Sequence, residues 1–292
     1  MAGVLTESEW RERQAAHHAR VDALTAGHRA RRATGAGHPG EDFLFTYYPF
    51  KPAALRRWHP GVGVDLEDAA TTERRSWRFA RITGDRVGLD VAAYLDARFS
   101  TVTFVRALLA ATADRTPHFG CFALHEWAMV YRLDQDTVRH RGLPLRLGPE
   151  GSDAVVEAQT LTCTHFDAFR FFTDPARPRN AVQPTRDDQV RLDQPGCVHA
   201  GMDLYKWAMK LAPAVPSELT ADCFEHARDL RVLDMRASPY DVTELGYEPI
   251  EVETPSGRAL FAQLQRSYAV RSADLRARLL AVCASLIGGQ RQ

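Results

Sequence analysis

The sequence lacks the features that mark membrane-bound and secreted proteins. It has no run of roughly 18 apolar residues, so no transmembrane helix is expected. Its first residues contain no apolar leader, and its five cysteines form no CxxC pair, which favours reduced thiols. We therefore expect a cytoplasmic protein with no membrane partner.

Lysine is scarce in this chain, and the charges of opposite sign balance. There are 37 basic and 37 acidic residues, so the net charge is zero, which argues against a uniformly basic nucleic-acid binder but permits a local basic face. Only Lys51, Lys206 and Lys210 are lysines, and the other 34 basic residues are arginines. Two lysines in one short stretch make that stretch a candidate for function.

Length and hydrophobic spacing predict the fold class. A chain of 292 residues with 45% hydrophobic and 25% charged residues can bury a substantial core. Helical spacing dominates, so we predict a predominantly α-helical fold with a small β-sheet (α+β) in a single compact domain. Residues 1–40 are predicted as an N-terminal helical arm and linker, opened by a capping box of Thr6 and Glu9. Residues 41–288 form the main globular domain, and its oligomeric state stays open.

Several shorter patterns predict local structure. Alternating aromatic residues at 43–47 predict a strand, and the apolar runs at 143–147, 155–163 and 247–254 predict further strands. Ser256 is expected to cap a long C-terminal helical region that breaks near Ser272.

The stretch TPHFGCFALHEWAMVYR, residues 116–132, reads as one buried helix with Thr116 as its cap and Pro117 at its first position. Glu126 falls on an apolar stripe of this helix, where a carboxylate is unusual. Burial would raise its pKa and suit it to general acid or base catalysis. The alternative is a structural ion pair with a buried arginine.

A second stripe of the same predicted helix carries metal-binding side chains. His118, Cys121 and His125 fall at i, i+3 and i+7, so two imidazoles and a thiolate would face one point. This set predicts a divalent metal such as zinc, completed by a fourth ligand or water.

The stretch GCVHAGMDLYKWAMKL, residues 196–211, is the second one rich in reactive groups. His199, Asp203, Lys206 and Lys210 form one helical stripe opposite an apolar one. Such a stripe is ordinarily a solvent face. A lysine beside a desolvated carboxylate can instead act as an acid, a base or a Schiff-base nucleophile, so His199, Asp203 and Lys206 are catalytic candidates.

Two further stretches add candidates. In CTHFDAFRFFT, residues 163–173, Asp167 is explained as a helix-capping acid. Arg170 is either the partner of a buried carboxylate such as Glu126 or a clamp for a substrate anion. In LDMRASPYD, residues 233–241, Asp234 and Arg236 alternate in a segment predicted to be extended and face a site together.

The stretches HFGCFALHEWAMVYR, THFDAFRFFT, GCVHAGMDLYKWAMKL and LDMRASPYD resemble those of an actinobacterial family labelled 3-methyladenine DNA glycosylase. The resemblance spans most of the chain from Asp42 to Leu280. It implies a hydrolase that excises alkylated bases from damaged duplex DNA by cleaving the N-glycosidic bond. Such an enzyme needs aromatic faces for a flipped base, for which Trp127, Tyr131, Tyr205 and Trp207 are the candidates. It also needs a carboxylate, and the candidates are Glu126 and Asp203.

Two other functions remain open from the residues themselves. A metal- or acid/base-dependent enzyme acting on a small-molecule substrate would use the same cluster of His, Asp, Glu and Lys and would need no extended basic face. A non-catalytic binding or scaffold protein is the third hypothesis, because every motif also has an adequate structural explanation.

Overall fold

The helices dominate the structure, which confirms the α+β class. The computed structural model describes residues 3–288 of the chain. Its α-helices are α1 (Glu7–Thr34), α2 (Phe43–Tyr47), α3 (Pro52–Arg56), α4 (Val91–Ala113), α5 (Leu124–Ala128), α6 (Gly148–Ala158), α7 (Phe166–Phe169), α8 (Gln189–Leu192), α9 (Val198–Lys210), α10 (Ser217–Arg236) and α11 (Pro255–Gly288). Within the described part, no helix combines the length and the apolar character that crossing a membrane requires.

The small sheet lies beside the start of α1. Its strands are β1 (Gly3–Leu5), β2 (Val64–Leu66), β3 (Ala80–Thr83) and β4 (Arg86–Leu89), in the order β1-β2-β4-β3. β1 pairs with β2 in parallel, and the other two pairings are antiparallel. Trp10 and Trp58 pack with Leu66 and Val87 in a satellite core. The Arg74 guanidinium lies over the rings of both tryptophans and is itself buried.

The N-terminal helix is an integral part of the globule and not an arm. Its capping box forms as predicted, because Thr6 and Glu9 exchange side-chain and backbone hydrogen bonds. Trp10 and Val21 are buried. Arg20 makes ion pairs with Asp222 and Glu225 on α10, and these contacts attach the helix to the centre of the fold.

The short strand predictions are wrong, as is the predicted break in the C-terminal helix. Residues 43–47 form α2. Residues 155–158 are the end of α6, residues 159–163 follow it, and 247–254 contains no strand. Isolated bridges join Leu145 to Tyr240 and Leu161 to Asn180. α11 runs without a break past Ser272, whose hydroxyl contacts His226. Short apolar runs that are buried on all sides do not distinguish a strand from a helix by periodicity alone.

Helix α9 is enclosed by its neighbours, so its polar stripe is not a solvent face. Every residue from Val198 to Tyr205 is buried. Gly201 permits a close approach, since a Cβ there would lie 2.6 Å from Cδ1 of Leu230 on α10. His199 and Asp203 are therefore held inside the protein, where polar groups need partners.

A glycine at the start of α11 provides a test of close packing between this helix and the segment before it. A Cβ at Gly257 would lie 2.0 Å from the backbone oxygen of Glu251, and backbone cannot move aside as a flexible side chain does. We expect Gly257→Ala to lower the free energy of unfolding by about 1–3 kcal/mol, measured by urea titration. Gly142→Ala, where no atom lies within 4 Å of the new Cβ, is the control. Equal losses in both variants would contradict the steric explanation.

Candidate active site

The helix predicted over 116–132 does not form as one unit. Phe122 and Ala123 have φ values of 45° and 56°, a left-handed conformation that interrupts any α-helix. α5 begins only at Leu124, whose N–H donates to the Cys121 carbonyl oxygen at 2.8 Å. The change of direction orients His125 and Glu126 into the core, and strained backbone of this kind is common next to functional groups.

The metal set predicted on this helix is therefore wrong as a unit. Cys121 Sγ does lie 3.6 Å from His125 Nδ1. His118 is exposed, and its Nε2 lies 3.2 Å from the Thr162 hydroxyl. Because the helical register that would have aligned the three is absent, His118 does not join the other two.

Glu126 is the carboxylate of a structural ion pair. It is buried, and the Arg231 guanidinium donates to its Oε1 at 2.7 Å. Burial opposes its charge, but the Arg231 cation outweighs this and lowers the pKa of Glu126 to about 2. The expectation of a raised pKa is thus wrong. Arg170 is not its partner, because Arg170 lies 3.3 Å from Asp167 instead.

Asp234 joins the same ion pair from α10. Its Oδ2 accepts from Arg231 at 3.2 Å, and its Oδ1 lies 2.9 Å from His125 Nε2. The segment is helical and not extended, so Arg236 projects elsewhere and donates to the Glu248 carbonyl oxygen. We call His125, Glu126, Arg231 and Asp234 the arginine network.

A second group surrounds Lys206. Its Nζ donates to Asp203 Oδ2 and lies 3.4 Å from Asp167 Oδ2. The Tyr48 hydroxyl donates to the other Asp203 oxygen at 2.7 Å. We call Asp167, Asp203 and Lys206 the lysine network. Asp167 does not cap α7, which has no side-chain cap.

Two histidines connect the networks. His165 Nδ1 lies 2.9 Å from Asp193 Oδ1, and its Nε2 is 3.7 Å from Asp203 Oδ2. The His199 ring centroid lies 5.6 Å from that of His165 and 4.6 Å from that of His125. The structure therefore brings Glu126, His199, Asp203 and Lys206 into one continuous buried layer.

The charged forms of Lys206 and Asp167 are both favoured at neutral pH. Burial disfavours the ammonium, but Asp203 and Asp167 outweigh it and raise the pKa of Lys206. Burial likewise opposes the Asp167 carboxylate, but Lys206 lowers its pKa overall. Lys206 is therefore a cation, whereas a Schiff-base nucleophile needs a neutral amine. Burial and the adjacent His125 and His165 lower the pKa of His199 well below its usual range, so its ring is neutral.

An open cleft borders the lysine network at Asp167 and Lys206. Its volume is about 560 Å³, within the usual range of ligand sites, roughly 300–1,000 Å³. The lining residues are Ser100, Thr101, Phe104, Asp167, Arg186, Asp187, Gln189, Lys206, Trp207 and Lys210. The Asp167 and Lys206 side chains are 17% and 13% exposed, against 1% for Asp203. A ligand would therefore meet Asp167 and Lys206, with Asp203 behind them.

Three of the four predicted base-stacking residues lie away from the cleft, in the core. Trp127, Tyr131 and Tyr205 are at most 1% exposed. Trp127 donates to the Ala237 carbonyl oxygen, and Tyr131 donates to Glu157. They cannot receive a ligand without unfolding around them. Two aromatic side chains line the cleft: Phe104, which is 40% exposed, and the fourth candidate Trp207, which is 5% exposed.

No protein-family model, no curated protein and no solved structure matches this chain. Its chemistry is therefore inferred from its own side chains and their geometry.

Sequence reasoning missed Arg231, Asp193 and Tyr48. Arg231 and Asp234 are charged residues three apart among the apolar positions of α10, and that pattern was the available signal. The sequence contains no comparable signal for Asp193 or Tyr48, because each reaches its partner from a distant loop or helix end.

Arg231 provides a test of the arginine network. Replacing it with methionine leaves Glu126 and Asp234 buried without their cation. We expect Arg231→Met to lower the free energy of unfolding by about 3–5 kcal/mol in urea titrations. Arg271→Met breaks a half-exposed pair with Asp229 and should cost about 1 kcal/mol or less. A similar small loss at Arg231 would show that the buried network does not stabilise the fold.

Proposed function

We propose that this chain is a hydrolase that removes alkylated bases from DNA, with its chemistry in the cleft over Lys206. The observation that carries the proposal is an ionised carboxylate, Asp167, beside an ammonium, Lys206, on the floor of an open cleft. The resemblance to the family labelled 3-methyladenine DNA glycosylase adds the substrate class.

The Asp167 carboxylate, held ionised beside Lys206, suits the cleavage of an N-glycosidic bond. Positive charge develops on the sugar in the transition state, and Asp167 would stabilise it and orient the attacking water. A base alkylated at N3 is cationic while bonded to the sugar and departs as a neutral molecule, so it needs no cation to stabilise it, and Lys206 would instead hold Asp167 in its ionised form. Asp203 is a positioning residue, because it holds Lys206 from behind and is itself held by Tyr48. Glu126 has no part in the reaction because Arg231 occupies it.

A strip of cations next to the cleft supports binding of phosphates. Arg57, Arg78 and Arg98 line a neighbouring hollow, and Arg98 donates to the backbone oxygen of Lys210 at the cleft. The side chains of these three arginines and of Lys210 form no ion pair with another described residue. We call Arg57, Arg78, Arg98 and Lys210 the basic strip. Cations without acidic partners are available to the DNA backbone.

One observation favours the small-molecule enzyme as a second candidate. Asp167 and Asp187 both line the cleft, so its mouth carries negative as well as positive charge. Such a mixed cleft admits a small polar molecule, for example a free nucleoside, more readily than a polyanion. The same acid–base groups would serve it.

Base release from alkylated duplex DNA tests the first candidate. We expect the wild-type chain to release 3-methyladenine, detected by chromatography. Asp167→Asn should lower the rate at least about 100-fold, as loss of an acid–base group typically does. Asp174→Asn, at a 99% exposed side chain, is the matched control and should keep the wild-type rate. Full activity in folded Asp167→Asn would remove Asp167 from the mechanism. No release by folded wild type, together with cleavage of a free nucleoside, would favour the second candidate.

DNA affinity measured across salt concentrations tests the basic strip. Replacing Arg57 and Arg98 with alanine should weaken binding and lower the slope of log affinity against log salt by about one for each phosphate that the variant no longer neutralises. Arg271→Ala, which removes an arginine already paired with Asp229, should leave the slope unchanged. Equal slopes in all variants would exclude this strip as the surface that binds DNA.

A further inference from the structure

Three metal-ligating side chains converge at the junction of the two networks. His125, His199 and Asp234 each offer a ligand atom, and these atoms all lie within 4.8 Å of one another. The three residues are 3%, 4% and 0% exposed. They come from α5, α9 and α10, so three different helices direct them to one point.

His199 lacks the partner that its burial requires. Its Nδ1 is inaccessible to solvent and has no hydrogen-bond partner among the described residues. An unsatisfied buried polar atom typically costs about 1–3 kcal/mol. The His199 ring is packed edge-on against His125, which is itself oriented by Asp234. A ligand bound between these side chains would give the His199 ring a partner.

The separation of the His125 and Asp234 donor atoms suits one metal ion. Bonds from zinc to histidine nitrogen and carboxylate oxygen are about 2.0–2.2 Å long, so neighbouring ligand atoms lie roughly 3.0–3.4 Å apart. His125 Nε2 and Asp234 Oδ1 are 2.9 Å apart, close to that separation. Two imidazoles and one carboxylate are also a donor set that catalytic zinc and ferrous sites use.

The local charge favours a cation at this point. The Glu126 and Asp234 carboxylates face the single guanidinium of Arg231, which leaves one negative charge uncompensated when the imidazoles are neutral.

The second set of convergent ligand atoms does not need a bound metal cation. It consists of His165, Asp167 and Asp203. There the Lys206 ammonium already contacts both carboxylates. The two sets therefore differ in their need for a positive ion.

A small cavity borders two of the three side chains. His125 and His199 line it together with Cys121, Cys163 and Cys197, and its volume is about 10 Å³. A space of this size accommodates roughly one water molecule. An ion held by His125, His199 and Asp234 would thus have room for one further ligand on the cavity side.

We propose that His125, His199 and Asp234 bind one divalent transition-metal ion, for which zinc is the test ion. This site is separate from the Asp167–Lys206 pair and goes beyond the base-excising activity. It also differs from the set predicted from sequence, because His118 has no part in it and the other two ligands come from helices distant in the chain.

Metal binding by the full-length chain tests the site directly. Protein stripped with a chelator and dialysed should bind about one zinc ion per chain, measured by mass spectrometry of the metal. Cobalt should replace zinc and give the visible absorption of a bound, distorted ion. Zinc should raise the melting temperature, because binding to the folded state alone stabilises it. His199→Gln should abolish all three signals at micromolar metal.

Controls separate loss of ligand from loss of fold. His226→Gln alters a fully buried histidine outside the set, and His118→Ala removes the exposed histidine of the set predicted from sequence. Both should keep the metal. Asp234→Asn should lose it, with folding checked by circular dichroism. Folded wild type that binds no zinc or cobalt would overturn the proposal, as would metal retained by His199→Gln or lost equally by His226→Gln. These readouts need no DNA, so they are independent of the base-release assay.

Discussion

The buried guanidinium of Arg231 is the interaction on which the centre of this protein depends. It donates to Glu126 on α5 and to Asp234 on its own helix, and all three side chains are nearly inaccessible to water. Two carboxylates this close would repel each other strongly without a cation between them. Because Arg231 neutralises them in part, Asp234 can orient His125, and His125 in turn meets the ring of His199.

The layer formed by the arginine network, the two connecting histidines and the lysine network has a closed end and an open end. At the closed end the arginine network is sealed by helices, which suits a bound ion and excludes a large substrate. At the open end Asp167 and Lys206 reach the cleft, and Asp203 holds Lys206 from within. His199 lies between the two ends. Glu126, a catalytic candidate by sequence, is therefore buried and paired with Arg231, whereas Asp167, explained by sequence as a cap, lines the cleft.

Burial of α9 decides which sequence hypothesis applies to its polar stripe. A stripe of His199, Asp203 and Lys206 opposite an apolar stripe is ordinarily a solvent face. Here α10 and α11 pack around the helix as well, so the stripe is enclosed and its charges must be paired internally. Lys206 and Asp203 satisfy each other within one turn, and Tyr48 arrives from the end of α2 to complete the set. The chemistry therefore depends on packing that the stripe itself does not encode.

The sequence by itself determined what is local. The helical class, the Thr6 and Glu9 capping box, the helical stripe of α9 and the Asp203–Lys206 pair follow from spacing within a few residues, because hydrogen bonds and side-chain contacts there are set by helical geometry. Only the tertiary structure decided the partners of Glu126 and His165, which lie 105 and 28 residues away. Single-sequence periodicity carries no information about such pairs, since they form only when separate helices pack together.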